Sequence, residues 1–203
     1  MNLPIYELRI QEDLQDDAEV SFIALVDKPA IQRDFVAFSE DKQDLNFAIQ
    51  DEDKHIISGP IMLADKPIYR NNSKFGEHFV TFPSETIKDI AIKFSKKGYQ
   101  DKVNLMHDKG MTVEGLIMFE SFIVDKERGI QPMKGFEDAK DGSWFGSFYV
   151  ENDQVWQLIK EGKVKGFSVE GFFEYPIEKK EPTYAEQKLA ELAELLKVPL
   201  SIK

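Results

Sequence analysis

The sequence predicts an α+β fold, mainly β: a small strand-rich barrel or curved sheet with a few helices outside it. Three observations predict it. Short runs of apolar, β-branched and aromatic residues, each bounded by Gly, Pro, Asn or Asp, recur along the chain. Only two or three segments carry a helical period instead. Finally, 203 residues with 42% hydrophobic side chains and sixteen phenylalanines are enough for one full core. Composition also narrows function. With no cysteine, disulfides, Cys-ligated zinc and thiol catalysis are excluded. The balance of 26 basic against 37 acidic residues would repel nucleic-acid phosphates and anionic membranes. No apolar run approaches the ~20 residues of a membrane span, and the N-terminus lacks a basic-then-apolar signal segment. The reading is of a soluble, cytosolic protein that binds neither nucleic acid nor membrane and needs no cofactor.

Residues 19–26 read as a strand stopped by Asp27-Lys28-Pro29. Residues 39–53 are polar and acidic and read as a surface excursion. His55 to Leu63 is the next strand, with Gly59-Pro60 bending it or marking an edge. Lys66 to Asn72 reads as a loop and Glu77 to Phe82 as a short strand. Pro83-Ser84-Glu85 suits the first turn of a helix whose Ile87, Ile90, Ala91 and Phe94 form one face, ending at Gly98. Lys102 to Met106 is a strand leading to His107, with a turn at Asp108-Lys109-Gly110. Thr112 to Val124 is apolar on both faces, as a central strand would be. After a charged loop at 126–142, Ser143 to Val150 is an aromatic-rich strand. Asn152-Asp153 caps a short helix that ends at Gly162. Lys163 to Tyr175 is the last strand. One domain covers residues 1–180, and 181–203 carry an amphipathic helix with Ala185, Leu189, Leu192 and Leu196 on one side.

The candidate chemistry centres on Gly166-Phe167-Ser168-Val169-Glu170-Gly171 and on His107. Ser168, between apolar residues and flanked by glycines, reads either as an exposed nucleophile or as a serine in a buried strand. His107, after an apolar strand and at a turn, is either its general base or a surface residue. Glu120 lies in an apolar run, and burying an unpaired carboxylate costs several kcal/mol. It therefore pairs with a group such as His107, or it points outward towards a lysine. Asp108 and Asp125 are alternative acids, both in turns where Asp also serves the backbone. Arg70 could neutralise an oxyanion or sit in a surface ion pair. His55 and His78 have no metal-ligand spacing relative to His107.

Several segments taken in order resemble the phage prohead (capsid-maturation) serine proteases, in their prophage serine protease branch. They are Val20 to Ile31, Ala64 to Arg70, Asn104 to His107, Phe119 to Asp125, Gly142 to Trp144 and Trp156 to Gly171. The resemblance implies a barrel like that of the related herpesvirus assembly proteases. It implies a serine endopeptidase with Ser168 as nucleophile, His107 as base and Glu120 as the third member. It further implies substrates in scaffold and major capsid protein peptides, self-cleavage, a homo-oligomer such as a dimer, and action inside the assembling prohead in the host cytoplasm. The helix in 181–203 would then begin a scaffold-like extension. No histidine follows His107, so the second histidine of the herpesvirus enzymes has no counterpart. A non-catalytic head protein of the same fold is the competing reading.

Overall fold

The structure, a computed structural model, describes residues 3–10, 20–27, 48–51 and 54–175. The predicted helix in 181–203 lies outside these residues. Within them, eleven strands and two helices follow one another: β1 (Ile5–Glu7), β2 (Val20–Val26), β3 (Ala48–Asp51), β4 (Ile56–Met62), β5 (Ile68–Asn72), β6 (Gly76–Thr81), α1 (Ser84–Lys96), β7 (Val103–Leu105), β8 (Asp108–Thr112), β9 (Leu116–Ile123), β10 (Trp144–Val150), α2 (Asp153–Lys160) and β11 (Gly166–Gly171). The mainly-β character is as predicted. The barrel is not: the described strands form three sheets, ordered β1-β6-β5, β3-β4-β10-β9 and β11-β2-β7-β8, and no ladder closes among them.

The apolar faces of all three sheets and both helices meet in one core. Ile23, Leu25, Ile57, Val80, Val103, Leu116, Trp144, Phe148 and Phe167 converge there from seven strands. On α1 the side chains of Ile87, Ile90 and Phe94 complete it. Helix α2 starts where Asn152 accepts hydrogen bonds from the backbone N–H groups of Gln154 and Val155, satisfying two otherwise orphan donors. A smaller cluster of Leu63, Val124, Phe136, Ala139 and Phe145 sits under the 126–142 loop. Neither helix is long and apolar enough to cross a membrane.

Four expectations change. Residues 68–72 form a strand rather than a loop, because the Asn72 side chain accepts from the N–H groups of Lys74 and Phe75 and turns the chain back into β6. The predicted excursion contains β3. Among the described residues the strand expected to be central, β9, pairs only with β10 and lies at a sheet edge, while the aromatic β10 runs between β4 and β9. Apolar Ile117 and Phe119 on β9 face solvent. The fourth change moves His107. The turn after β7 is Met106-His107 itself, since Leu105 already pairs with Asp108. Both turn residues have positive φ, 53° and 60°. That pattern matches the strand twist but normally uses Asn-Gly. In Met and His it stores strain of about 1 kcal/mol or more per residue.

Two stability predictions follow from these backbones. Gly142 has φ +86°, and a Cβ there would lie 2.7 Å from Ser84 Cα at the start of α1. Gly142→Ala should lose about 3 kcal/mol through left-handed strain plus overpacking, read as a lowered urea midpoint. Met106 is exposed, so Met106→Gly removes turn strain with little lost packing. After the entropic cost of glycine it should gain about 0.5–1 kcal/mol, raising Tm by roughly 2 °C. A lowered Tm would show that the turn is not strained.

Candidate active site

Strand β11 has two different faces. Phe167 and Val169 point into the core with Ile23 and Leu25 of β2 and Val103 of β7. Ser168 and Glu170, two residues apart, share the opposite face, as the period of a strand requires. In register beside Ser168 lies Ala24, and beside Ala24 lies Asn104. Ser168, Ala24 and Asn104 thus form a row across three strands on the face away from the core, yet all three are buried.

The small Ala24 lets longer side chains meet above it. Strands β11 and β7 are two strand spacings apart, roughly 9–10 Å. Glu170 reaches across this gap, and its Oε2 accepts a hydrogen bond of 2.7 Å from Asn104 Nδ2. The same oxygen lies 3.7 Å from His107 Nδ1. The tight turn after β7 is what brings the imidazole there. The His107 side chain is 42% exposed, whereas the Glu170 side chain is only 20% exposed, so the carboxylate is largely committed to these partners. Among the described residues no hydrogen bond joins Ser168 to His107; Glu170 is what they share, as a neighbour on Ser168's strand face and as the imidazole's ion-pair partner.

Asn104 is fully buried, and its Oδ1 has no hydrogen-bond partner among the described residues. An unsatisfied buried acceptor costs about 1–3 kcal/mol, comparable to what a hydrogen bond to a charged group contributes. The two effects roughly cancel. Stability alone therefore gives little reason for an amide at this position.

The expected third acid, Glu120, is not in this site. It lies exposed on β9, opposite Ser147 of β10, in the sheet β3-β4-β10-β9. A bulge at Phe119, where Phe148 pairs with Met118 and Ser147 with Glu120, leaves Phe119 and Glu120 both exposed. Glu120 needs no buried partner because the outer face of β9, apolar as it is, is left uncovered. Of the alternatives, Asp125 is tied to Arg128, by the Arg128 N–H at 3.0 Å and the guanidinium at 3.6 Å. Asp108 follows His107 directly and opens β8. The acid beside His107, Glu170, and its buried partner, Asn104, both lay inside segments already singled out. The signal that could have found Glu170 was strand alternation after Ser168.

The other histidines lie elsewhere. His55 stacks on Trp156 at 4.6 Å and its Nδ1 meets Val150 O at 3.0 Å. His78 is buried among Tyr6, Phe75 and Tyr175. Among the described residues no group of three or more His, Asp or Glu is placed to hold a metal.

A pocket of about 350 Å³ opens beside Ser168. Its walls include Leu8, Ile61, Leu63, Phe82 and Phe173, and Arg70 of β5 contributes a cation. Arg70 also donates from Nη1 to Tyr69 O at 2.8 Å. The pocket follows the chain from Phe167 in β11 to Phe173 just beyond it, and among the described strands β11 is an edge of its sheet. Ile23 donates its N–H to Lys102 O, and Leu25 O accepts from Met106 N, so both residues direct their backbone groups to β7. By alternation Ala24 bonds to Ser168, and Val169 turns its N–H and C=O away from β2 towards the open edge. The site thus combines a hydroxyl, an imidazole with a carboxylate at Nδ1, a backbone N–H beside the hydroxyl and an adjacent apolar pocket.

Compared with curated proteins and with solved structures, the chain gives no match. A family model described as "Putative phage serine protease XkdF" matches residues 44–176, a span that holds Ser168, His107, Glu170, Asn104 and Arg70. With well over half of its length matched, the chain belongs to this family of phage serine proteases.

Proposed function

We propose that the protein is a serine endopeptidase that cuts scaffold and major capsid protein segments, and itself, inside the assembling phage head in the host cytoplasm. Ser168 is the nucleophile, His107 the general base, and Glu170 takes the role the sequence assigned to Glu120. The observation that carries this reading is the placement of one carboxylate on the strand face of Ser168 and 3.7 Å from His107 Nδ1. A carboxylate at Nδ1 fixes the tautomer that leaves Nε2 as a base and stabilises the imidazolium that forms. His107 Nε2 takes the hydroxyl proton as Ser168 Oγ bonds to the peptide carbonyl carbon. The tetrahedral oxyanion then collapses, the C–N bond breaks, and the amine leaves with the proton from His107. Water, deprotonated by the same imidazole, hydrolyses the acyl-enzyme. The Val169 N–H faces the edge along which the substrate lies and supplies an oxyanion donor, with Arg70 as a nearby cation. In unliganded enzymes the nucleophile–base contact is often long and tightens on binding.

The lack of a Ser168–His107 hydrogen bond favours a second reading, a head protein of the same fold that does not cleave. Incubating the wild type and variants with the scaffold and capsid proteins of the same phage, followed by intact-mass analysis, separates the two. The wild type should release discrete fragments, and Ser168→Ala and His107→Ala should lose rate by about 10⁴-fold or more. Glu170→Gln should cost about 10²–10⁴-fold, the range of a general-base system deprived of its orienting acid. Glu120→Gln should stay within about twofold, as expected of an exposed group outside the site. Equal losses at Glu120 and Glu170 would sink this assignment, and intact masses throughout would favour the non-cleaving protein.

A further inference from the structure

We infer that Asn104 is a positioning residue for the proposed reaction. Its buried amide holds the Glu170 carboxylate against His107, and the unpaired Oδ1 marks a side chain kept for that one bond rather than for stability. The inference rests on the roles proposed for Ser168 and His107, but its structural content can be read without them.

The geometry is specific. Glu170 stands on β11 opposite Phe22, and His107 lies beyond β7. A glutamate with three rotatable bonds and one-fifth of its side chain exposed has rotamers that point to water as well as inward. The 2.7 Å bond from Asn104 Nδ2 pulls Oε2 inward over Ala24, and this is the same oxygen that faces the imidazole. Asn104 belongs to the short strand whose end turns directly into His107, so the group that fixes the acid and the group that presents the base are three residues apart on one rigid hairpin. A purely structural amide in this setting would have both ends paired, as buried amides usually are. Here one end has no partner among the described residues. An apolar residue of similar shape would remove that unsatisfied acceptor.

That contrast sets the test. Asn104→Leu keeps size and burial while deleting the donor. Three quantities would be measured on the full chain: Tm, the ¹⁵N shifts of the His107 ring, and the rate at which a fluorophosphonate reagent modifies Ser168, located by peptide mass. Asn104→Leu should fold with an unchanged or higher Tm. Its neutral His107 ring should move from the Nδ1–H tautomer towards Nε2–H, as in Glu170→Gln. Modification of Ser168 should slow by about tenfold or more, a part of the ~10²–10⁴ that a general base contributes. In the double variant the Asn104 change should add nothing to the loss from Glu170→Gln, since both break the same link. A His107 tautomer unchanged by Asn104→Leu, or fully additive losses, would overturn the inference. Should Leu prevent folding, Asn104→Ala is read by the same ring shifts and judged by the same criterion. If wild-type Ser168 resists the reagent while the ring shifts still respond to Asn104, the positioning role stands and the protease reading falls.

Discussion

Everything proposed for this protein depends on one bridge laid across the outer face of a sheet, a hydrogen bond from Asn104 to Glu170 continued by the ion-pair contact of Glu170 with His107. Asn104, Glu170 and His107 come from β7, β11 and the turn after β7, and they meet because the strand between, β2, offers only a methyl group at Ala24. A larger side chain there would occupy the space through which Glu170 crosses. The bridge forms on the side of the sheet that the main core does not use, so packing and the proposed chemistry are divided between the two faces of the same three strands. Phe167, Ile23, Leu25 and Val103 fix the register from below. Register in turn fixes which side chains share the upper face, because a slip of one residue would send Ser168 and Glu170 into the core.

The local energetics point the same way. Met106 and His107 hold left-handed backbone conformations that bulky residues seldom adopt, and Asn104 carries an unsatisfied buried oxygen. Each feature costs stability, and each lies within three residues of the imidazole. Such costs persist where surrounding structure over-determines them, and they gather at functional sites. The edge position of β11 among the described strands fits the same picture. A protease must present a backbone edge and a pocket to an extended peptide, and β11 has both beside its serine.

Much of this was legible in the sequence, for identifiable reasons. Helix α1 was marked by its apolar i, i+3, i+4, i+7 face and by Pro83, and α2 by Asn152, all of them local signals. Ser168 and His107 stood out by residue type and setting. What failed was long-range. The hairpin turn lies two residues before the expected one, because Met-His is an improbable pair for positive φ, whereas Asp-Lys-Gly looks like a turn. The apolar run of β9 leaves Glu120 either buried with a partner or turned outward; what packs on the sheet decides, and the face that carries Glu120 is exposed. Closure into a barrel was likewise a matter of which strands pair, and the described strands form three sheets. Strand alternation marks Glu170 as sharing the face of Ser168, but its meeting with Asn104 and His107 depends on the register of β11, β2 and β7, which no local pattern encodes.

The most direct test of the account is a crystal structure of the full chain with Ser168 carrying a phosphonate adduct. The account predicts the His107 imidazole within hydrogen-bond reach of the adduct's oxygens, Glu170 at its Nδ1, and Asn104 still donating to that carboxylate. An imidazole turned away from the adduct, or one oriented by another acid while Glu170 points to solvent, would contradict it.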